Sequence, residues 1–319
     1  MRFNPLKFQA PLAAGGIALM AFNFLQFAVP HGNGLIKLWD IPWAQLSMNQ
    51  MGAYLPLIII MLISTMVNLG LTVIFLKELV QWLSNKQDYN DFMHDPLKNN
   101  GIFAPIASLS MTANVVWAPL AFFIPKLSTS MMIIPSLIFF GLIWAIVFML
   151  EFKVIKIWLT QPIDISKLNF IWLLDVFAFG LVNLTGTGIA AISSSKSIAS
   201  LAAFLSIFGL SIGFFLLITK LTYLVYLQIQ SARLPEKPVL PAFFLVIPIT
   251  CLYGLSLHRI MMYLQTYFNF DVEVLSFFLI IFSYAITIGW GVFTLYLLTD
   301  YIQRDFYKSK FSPPQWAMV

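Results

Sequence analysis

Charge is scarce in this chain. Asp, Glu, Lys and Arg make up 10% of its 319 residues, against 60% for apolar types; a water-soluble domain carries about 25% charge. So little charge cannot keep so much apolar surface in water, which excludes a freely soluble globular protein and makes the lipid bilayer the solvent. Cys251 is the single cysteine, which excludes an intramolecular disulfide and a cysteine-built metal site. His31, His94 and His258 are the only histidines. They fall in loops or at span ends, so no inward-facing pair is available for haem. No HExxH, acidic metal cluster or P-loop occurs. With no catalytic constellation, the expectation is a protein that is not an enzyme, holds no cofactor or metal, and is not driven directly by ATP.

What the chain does have is eight long apolar runs, at about 11–30, 52–76, 102–125, 131–150, 168–191, 199–219, 239–257 and 274–298. Runs of about 20 residues fit helices crossing a hydrocarbon core of about 30 Å. Shorter, alternating strands would be needed for a barrel. The fold class read here is an all-α membrane protein with residues 1–319 as a single transmembrane domain. No small-residue cleavage site follows the first run, so it is read as a retained span rather than a signal peptide.

The net charge of +5 is a matter of position rather than of a nucleic-acid partner, for which nothing else speaks. Between these runs, fourteen of the eighteen Lys and Arg fall on one side: Arg2, Lys7, Lys77, Lys86, Lys98, Lys153, Lys156, Lys167, Lys220, Arg233, Lys237, Arg304, Lys308 and Lys310. Lys37, Lys126, Lys196 and Arg259 are left for the other side. The positive-inside rule then puts the N-terminus and the even-numbered loops in the cytoplasm of a bacterial-type inner membrane. Two segments beyond the apolar runs, KELVQWLSNKQDYNDFMHD and LTYLVYLQIQSARLPEKP, are expected to continue as helix or lie at the interface. Trp39 and Trp43 place HGNGLIKLWDIPWAQLSMNQM at the outer interface.

The odd spans begin alike: FQAPLAAGG (Phe8–Gly16), FAPIASLSM (Phe103–Met111), more weakly LNFIWLLDVF (Leu168–Phe177), LPAFFLVIP (Leu240–Pro248), and at the end of the chain FSPPQWAMV (Phe311–Val319). Pro11, Pro105, Pro241 and Pro313 mark similar places in successive hairpins, where a missing N–H costs little. Pro119 and Pro248 lie deeper and are expected to kink their helices.

This arrangement resembles the tellurite-resistance/dicarboxylate transporter (TehA-like) and slow-type anion channel family. The resemblance rests on the hairpin pattern, the proline-bearing odd spans and FSPPQWAMV with Trp316. It implies helical hairpins in a quasi-five-fold ring around a central pore, here with eight complete spans and the start of a ninth from about residue 314. It implies passage of small anions (inorganic anion, sulfite or dicarboxylate) through a pore lined by odd-numbered helices, and a homotrimer. The family's gating phenylalanine lies on the ninth helix beyond Trp316, where this sequence stops. One expectation is therefore an inactive truncated product of a longer gene, one route being a UGA codon read as stop where the full protein has selenocysteine or cysteine, with a frameshift or a natural eight-helix form as the alternatives.

A pore for anions needs weak, repeated stabilisation rather than one deep site. The small and polar residues of the odd spans are the candidates: Gly15, Gly16 and Asn23; Thr112 and Asn114; Asn183, Thr185 and Gly188; and Thr250. The same residue types also serve helix packing, with their polar groups bonded to neighbouring helices. Asp175 is the clearest ionisable residue inside a span, and such groups are costly and often functional. It is either paired, by Lys167 or a neighbouring helix end, or open to a vestibule, or protonated. As a coupling carboxylate it would make the protein a proton-coupled secondary carrier.

Overall fold

The computed structural model describes residues 3–32, 34–231, 233–308 and 311–318; Arg2, Lys310 and Val319 lie outside them. Among the described residues no strand occurs and eight helices are long and apolar enough to cross a membrane. They are α1 (Pro5–Ala28), α2 (Met48–Ser84), α3 (Asn99–Phe123), α4 (Thr129–Thr160), α5 (Phe170–Ile192), α6 (Lys196–Ser231), α7 (Lys237–Phe268) and α8 (Glu273–Leu297).

Several helices run well past their apolar stretches. α2 continues to Ser84, and Asn85 then starts a separate short helix, Lys86–His94, by accepting hydrogen bonds from Gln87 N and Asp88 N. α4 begins at the Ser128 cap and ends at Thr160 rather than near residue 150. α6 reaches Ser231 and α7 reaches Phe268. Lys153, Lys156, Lys220 and Arg259 are consequently helical residues, not loop charges.

The odd helices share an entry geometry. Each opens with a tight 3-10 segment: Pro5–Phe8, Asn99–Ile102, Phe170–Leu173 and Lys237–Leu245, and the C-terminal Pro313–Met318 is wound the same way. These entries lie together at one end of the molecule, here called the N-terminal face. Pro5, Pro238 and Pro313 stand in such first turns, where the N–H that proline lacks has no helical acceptor. Pro11 and Pro105 instead lie just past the 3-10 segments and Pro241 inside its own, so their missing N–H is not free in the way their place in the sequence suggested. Pro119 sits in a π-type segment, Val116–Leu120, a known cause of helix bending. At Pro248 the change is different: winding passes from 3-10 to α at Leu245–Val246, two residues before it.

Packing separates inner from outer helices. α1 packs on α3, α3 on α5 and α5 on α7, and Pro313–Met318 packs on the entry of α7 and on α1. The even helices lie outside, α2, α6 and α8 against their hairpin partners and α4 chiefly against α5. Of the most apolar stretch of α5, 89% is buried, against 6% for α8. α8 turns Phe277, Phe278, Ile281 and Val292 outward, as a lipid-facing helix does.

At the opposite face, the α1–α2 connection carries two 3-10 turns, with Trp39 and Trp43 exposed. Lys37 fastens this connection to α3. Its Nζ donates to Ala121 O (2.7 Å) and Leu127 O (3.1 Å), carbonyls at and beyond the end of that helix. Burial holds the Lys37 ammonium below its ordinary value, with Asp40 opposing the effect. Carbonyls at a helix C-terminus need such a partner. Lys37→Met is therefore expected to cost about 1–2 kcal/mol, read as a lower unfolding midpoint in detergent; an unchanged midpoint would show the tie to be dispensable.

Candidate functional site

The inner elements meet around a cavity of about 140 Å³ near the N-terminal face. Gln9, Leu12, Ala13 and Gly16 line it from α1, Met111 from α3, Leu174 and Phe177 from α5, Leu245 and Pro248 from α7, and Trp316 and Ala317 from the C-terminal segment. Every odd-numbered element thus contributes to one space. Its wall is largely apolar. Gln9 is buried, and its Oε1 has no hydrogen-bond partner. A Cβ placed on Gly16 meets no atom within 4 Å, so this glycine borders open space.

The other sequence candidates distribute between two kinds of interface. Gly15 is a packing position: a Cβ there would press on Met111, Asn68 and Val115. Thr112 bonds Ser108 O and the Thr72 hydroxyl of α2. Asn183 donates to Phe179 O and lies against Gly209 of α6. Thr250 bonds its own helix and Thr287 of α8. These four face the outer helices, Gly15 touching α3 as well. Asn23 is exposed.

Asn114, Thr185 and Gly188 instead lie where inner helices meet. Asn114 Nδ2 donates to Thr185 Oγ1 at 3.0 Å, joining α3 to α5. One turn on, Gly188 faces Arg259 of α7, whose Nη1 would stand 3.2 Å from a Cβ at that position. Arg259 Nη1 donates to Leu184 O at 3.0 Å. No carboxylate of the described residues lies within ion-pair distance of Arg259. Its neighbour His258 turns the other way, to Ser276 of α8 at 2.6 Å. Adjacent on α7, the two residues face different neighbours, Arg259 toward α5 and His258 toward α8. Among the inner helices, Arg259 is a permanent cation with donors to spare.

Asp175 is fully buried, and its partner is Lys220 of α6, not Lys167. Lys167 pairs with Asp164 at 3.1 Å on the surface. Lys220 is 3% exposed. Its Nζ also donates to Trp172 O at 3.1 Å and lies 4.0 Å from the ring centre of Trp158 and 4.9 Å from that of Trp172. Ring faces stabilise an ammonium most where it is desolvated. Asp175 Oδ1 accepts from Val176 N at 2.7 Å. Below, Tyr253 of α7 donates to Val176 O at 3.1 Å. Glu151 of α4 completes the group. It is 1% exposed, and neither carboxyl oxygen has a hydrogen-bond donor. Gln9, Glu151 and Lys220 were not among the sequence candidates; the last two stand just beyond the ends of apolar runs, where charge reads as a boundary.

Residues 2–319 match the family model described as voltage-dependent anion channel. No curated protein and no solved structure matches the chain.

Proposed function

The chain belongs to the voltage-dependent anion channel family, and from that premise we propose that it passes small anions along the axis between its odd-numbered helices. In this reading the N-terminal face is cytoplasmic, in a bacterial-type inner membrane, as the excess of Lys and Arg there favours. The observation that carries it is the cavity to which α1, α3, α5, α7 and the C-terminal segment all contribute. Its apolar wall suits a constriction that conducts when wetted and stops when dry. Toward the opposite face, Arg259, with Asn114, Thr185 and Gly188 near it, attracts anions without binding them deeply. One guanidinium suits a singly charged anion better than a dicarboxylate, which would want two.

The test is anion flux in proteoliposomes. Arg259→Gln is expected to lower flux roughly tenfold, the scale of one charge acting across a low-dielectric path, and Arg259→Lys to recover part of it. Flux unchanged in Arg259→Gln would remove Arg259 from the path.

A proton-coupled carrier is the second reading, favoured by the buried carboxylates beside α5. Asp175 is already neutralised by Lys220, so as coupling group it would have to break that pair in every cycle. Accumulation of anion against its gradient, driven by an imposed pH difference, would establish the carrier; equilibration only would leave the channel. A homotrimer fits the exposed aromatic face of α8, and a monomeric mass in mild detergent would dismiss it.

A further inference from the structure

Three ionisable side chains from three successive membrane helices meet in one dry place: Glu151, Asp175 and Lys220, each at most 3% exposed. Geometry assigns their charges. Lys220 is surrounded by acceptors and ring faces: Asp175, Trp172 O, and the indoles of Trp158 and Trp172. It is an ammonium. Asp175 accepts from Lys220 and Val176 N and forms the ion pair of the group with Lys220. Glu151 accepts from nothing, and it lies close enough to Asp175 and Lys220 to interact with both. Ionised, it would leave a net negative charge in the membrane interior, which is costly. With a proton it is neutral, the cluster sums to zero, and its O–H has Asp175 as an acceptor. Tyr253 is the remaining titratable group facing the cluster, and its hydroxyl is committed to Val176 O.

We propose that Glu151 carries a proton at neutral pH, and that this proton-binding site sets anion passage through α5. Leu174 and Phe177, on either side of Asp175 in the chain, line the central cavity. A second pocket, of about 110 Å³, is bordered by the exposed Lys98 and Lys167 at the N-terminal face and reaches Trp172, which covers Lys220. In this proposal, water in that pocket exchanges the proton with the cluster. When the proton leaves Glu151 for that water, Lys220 is shared between two carboxylates. Asp175 loses part of its hold on the ammonium, and an unbalanced negative charge stands beside the cavity. Flux of anions therefore falls as pH at the N-terminal face rises. The regulatory part rests on the anion-conducting reading; the proton itself does not.

The experiment has two arms. In the first, infrared spectra of the protein in lipid nanodiscs are compared for wild type, Glu151→Gln and Asp175→Asn. A buried carboxylic-acid carbonyl band is expected in wild type and is lost in Glu151→Gln. It is also lost in Asp175→Asn, where Glu151 takes over as the counter-ion of Lys220. No such band in wild type, or a band that survives Glu151→Gln, overturns the proposal. In the second arm, flux is followed in proteoliposomes as pH at the N-terminal face is raised. Wild-type flux is expected to fall roughly tenfold, and that of Glu151→Gln to stay at the protonated level. A pH profile of Glu151→Gln that follows wild type overturns the regulatory role. If the band behaves as expected in a protein that passes no anion, the proton site stands and the channel reading fails.

Discussion

Lys220→Met is expected to lower the stability of the fold by about 3–5 kcal/mol, because it leaves the Asp175 carboxylate buried without its counter-ion. The loss should be large for a single substitution. Lys220 reaches Asp175 from a neighbouring helix, and Trp158 and Trp172 keep water out around it. The double variant Lys220→Met with Asp175→Leu is expected to recover most of the loss, since apolar residues of similar volume often replace a buried ion pair at little or no cost. Denaturant titration in mild detergent measures all three proteins. A single variant as stable as wild type would mean that the pair is solvated, and a double variant no better than the single would mean that packing, not charge, is lost.

The second large effect is expected at Gly16. Leucine there should abolish anion flux while leaving the fold intact, because the new side chain grows into the central cavity and meets no neighbour at its Cβ. Gly15→Leu is the contrast. Its Cβ would collide with Met111, Asn68 and Val115, and overpacking of this kind costs about 1–3 kcal/mol. Adjacent glycines should thus separate function from stability: Gly16→Leu with a normal unfolding midpoint and no flux, Gly15→Leu with a lowered midpoint. Normal flux in Gly16→Leu would place the path elsewhere.

The difference between those two glycines marks how far the sequence could be read. Eight spans were legible because a membrane helix announces itself by composition over a long window, and a repeat was suggested because proline recurs near the start of α1, α3 and α7 and in the C-terminal segment, though α5 has none. The ends were not. α4, α6 and α7 continue past their apolar runs, and Glu151 and Lys220 were hidden by the ordinary rule that a charge ends a span. Rotation about each helix axis was not legible either. Gly15 and Gly16, or Thr112 and Asn114, are alike as residue types; which one faces a hairpin partner and which an inner helix depends on neighbours that a single sequence does not name. Asp175 was visible as an anomaly, but its partner lies 45 residues away. Gln9, a polar residue at a helix start, carries no pattern that sets it apart from a surface position.

That separation of 45 residues also bears on how the protein is made. A ribosome delivers α4 and α5 to the insertion machinery before the end of α6 exists, so Glu151 and Asp175 reach the bilayer ahead of Lys220. Asp175 lies near the start of α5, and a buried carboxylate without its counter-ion opposes the insertion of a lone helix. Until Lys220 emerges, α5 lacks the counter-ion that Asp175 has in the finished fold. Chains that end before Lys220 are therefore expected to hold α5 less firmly in the bilayer than chains that include it.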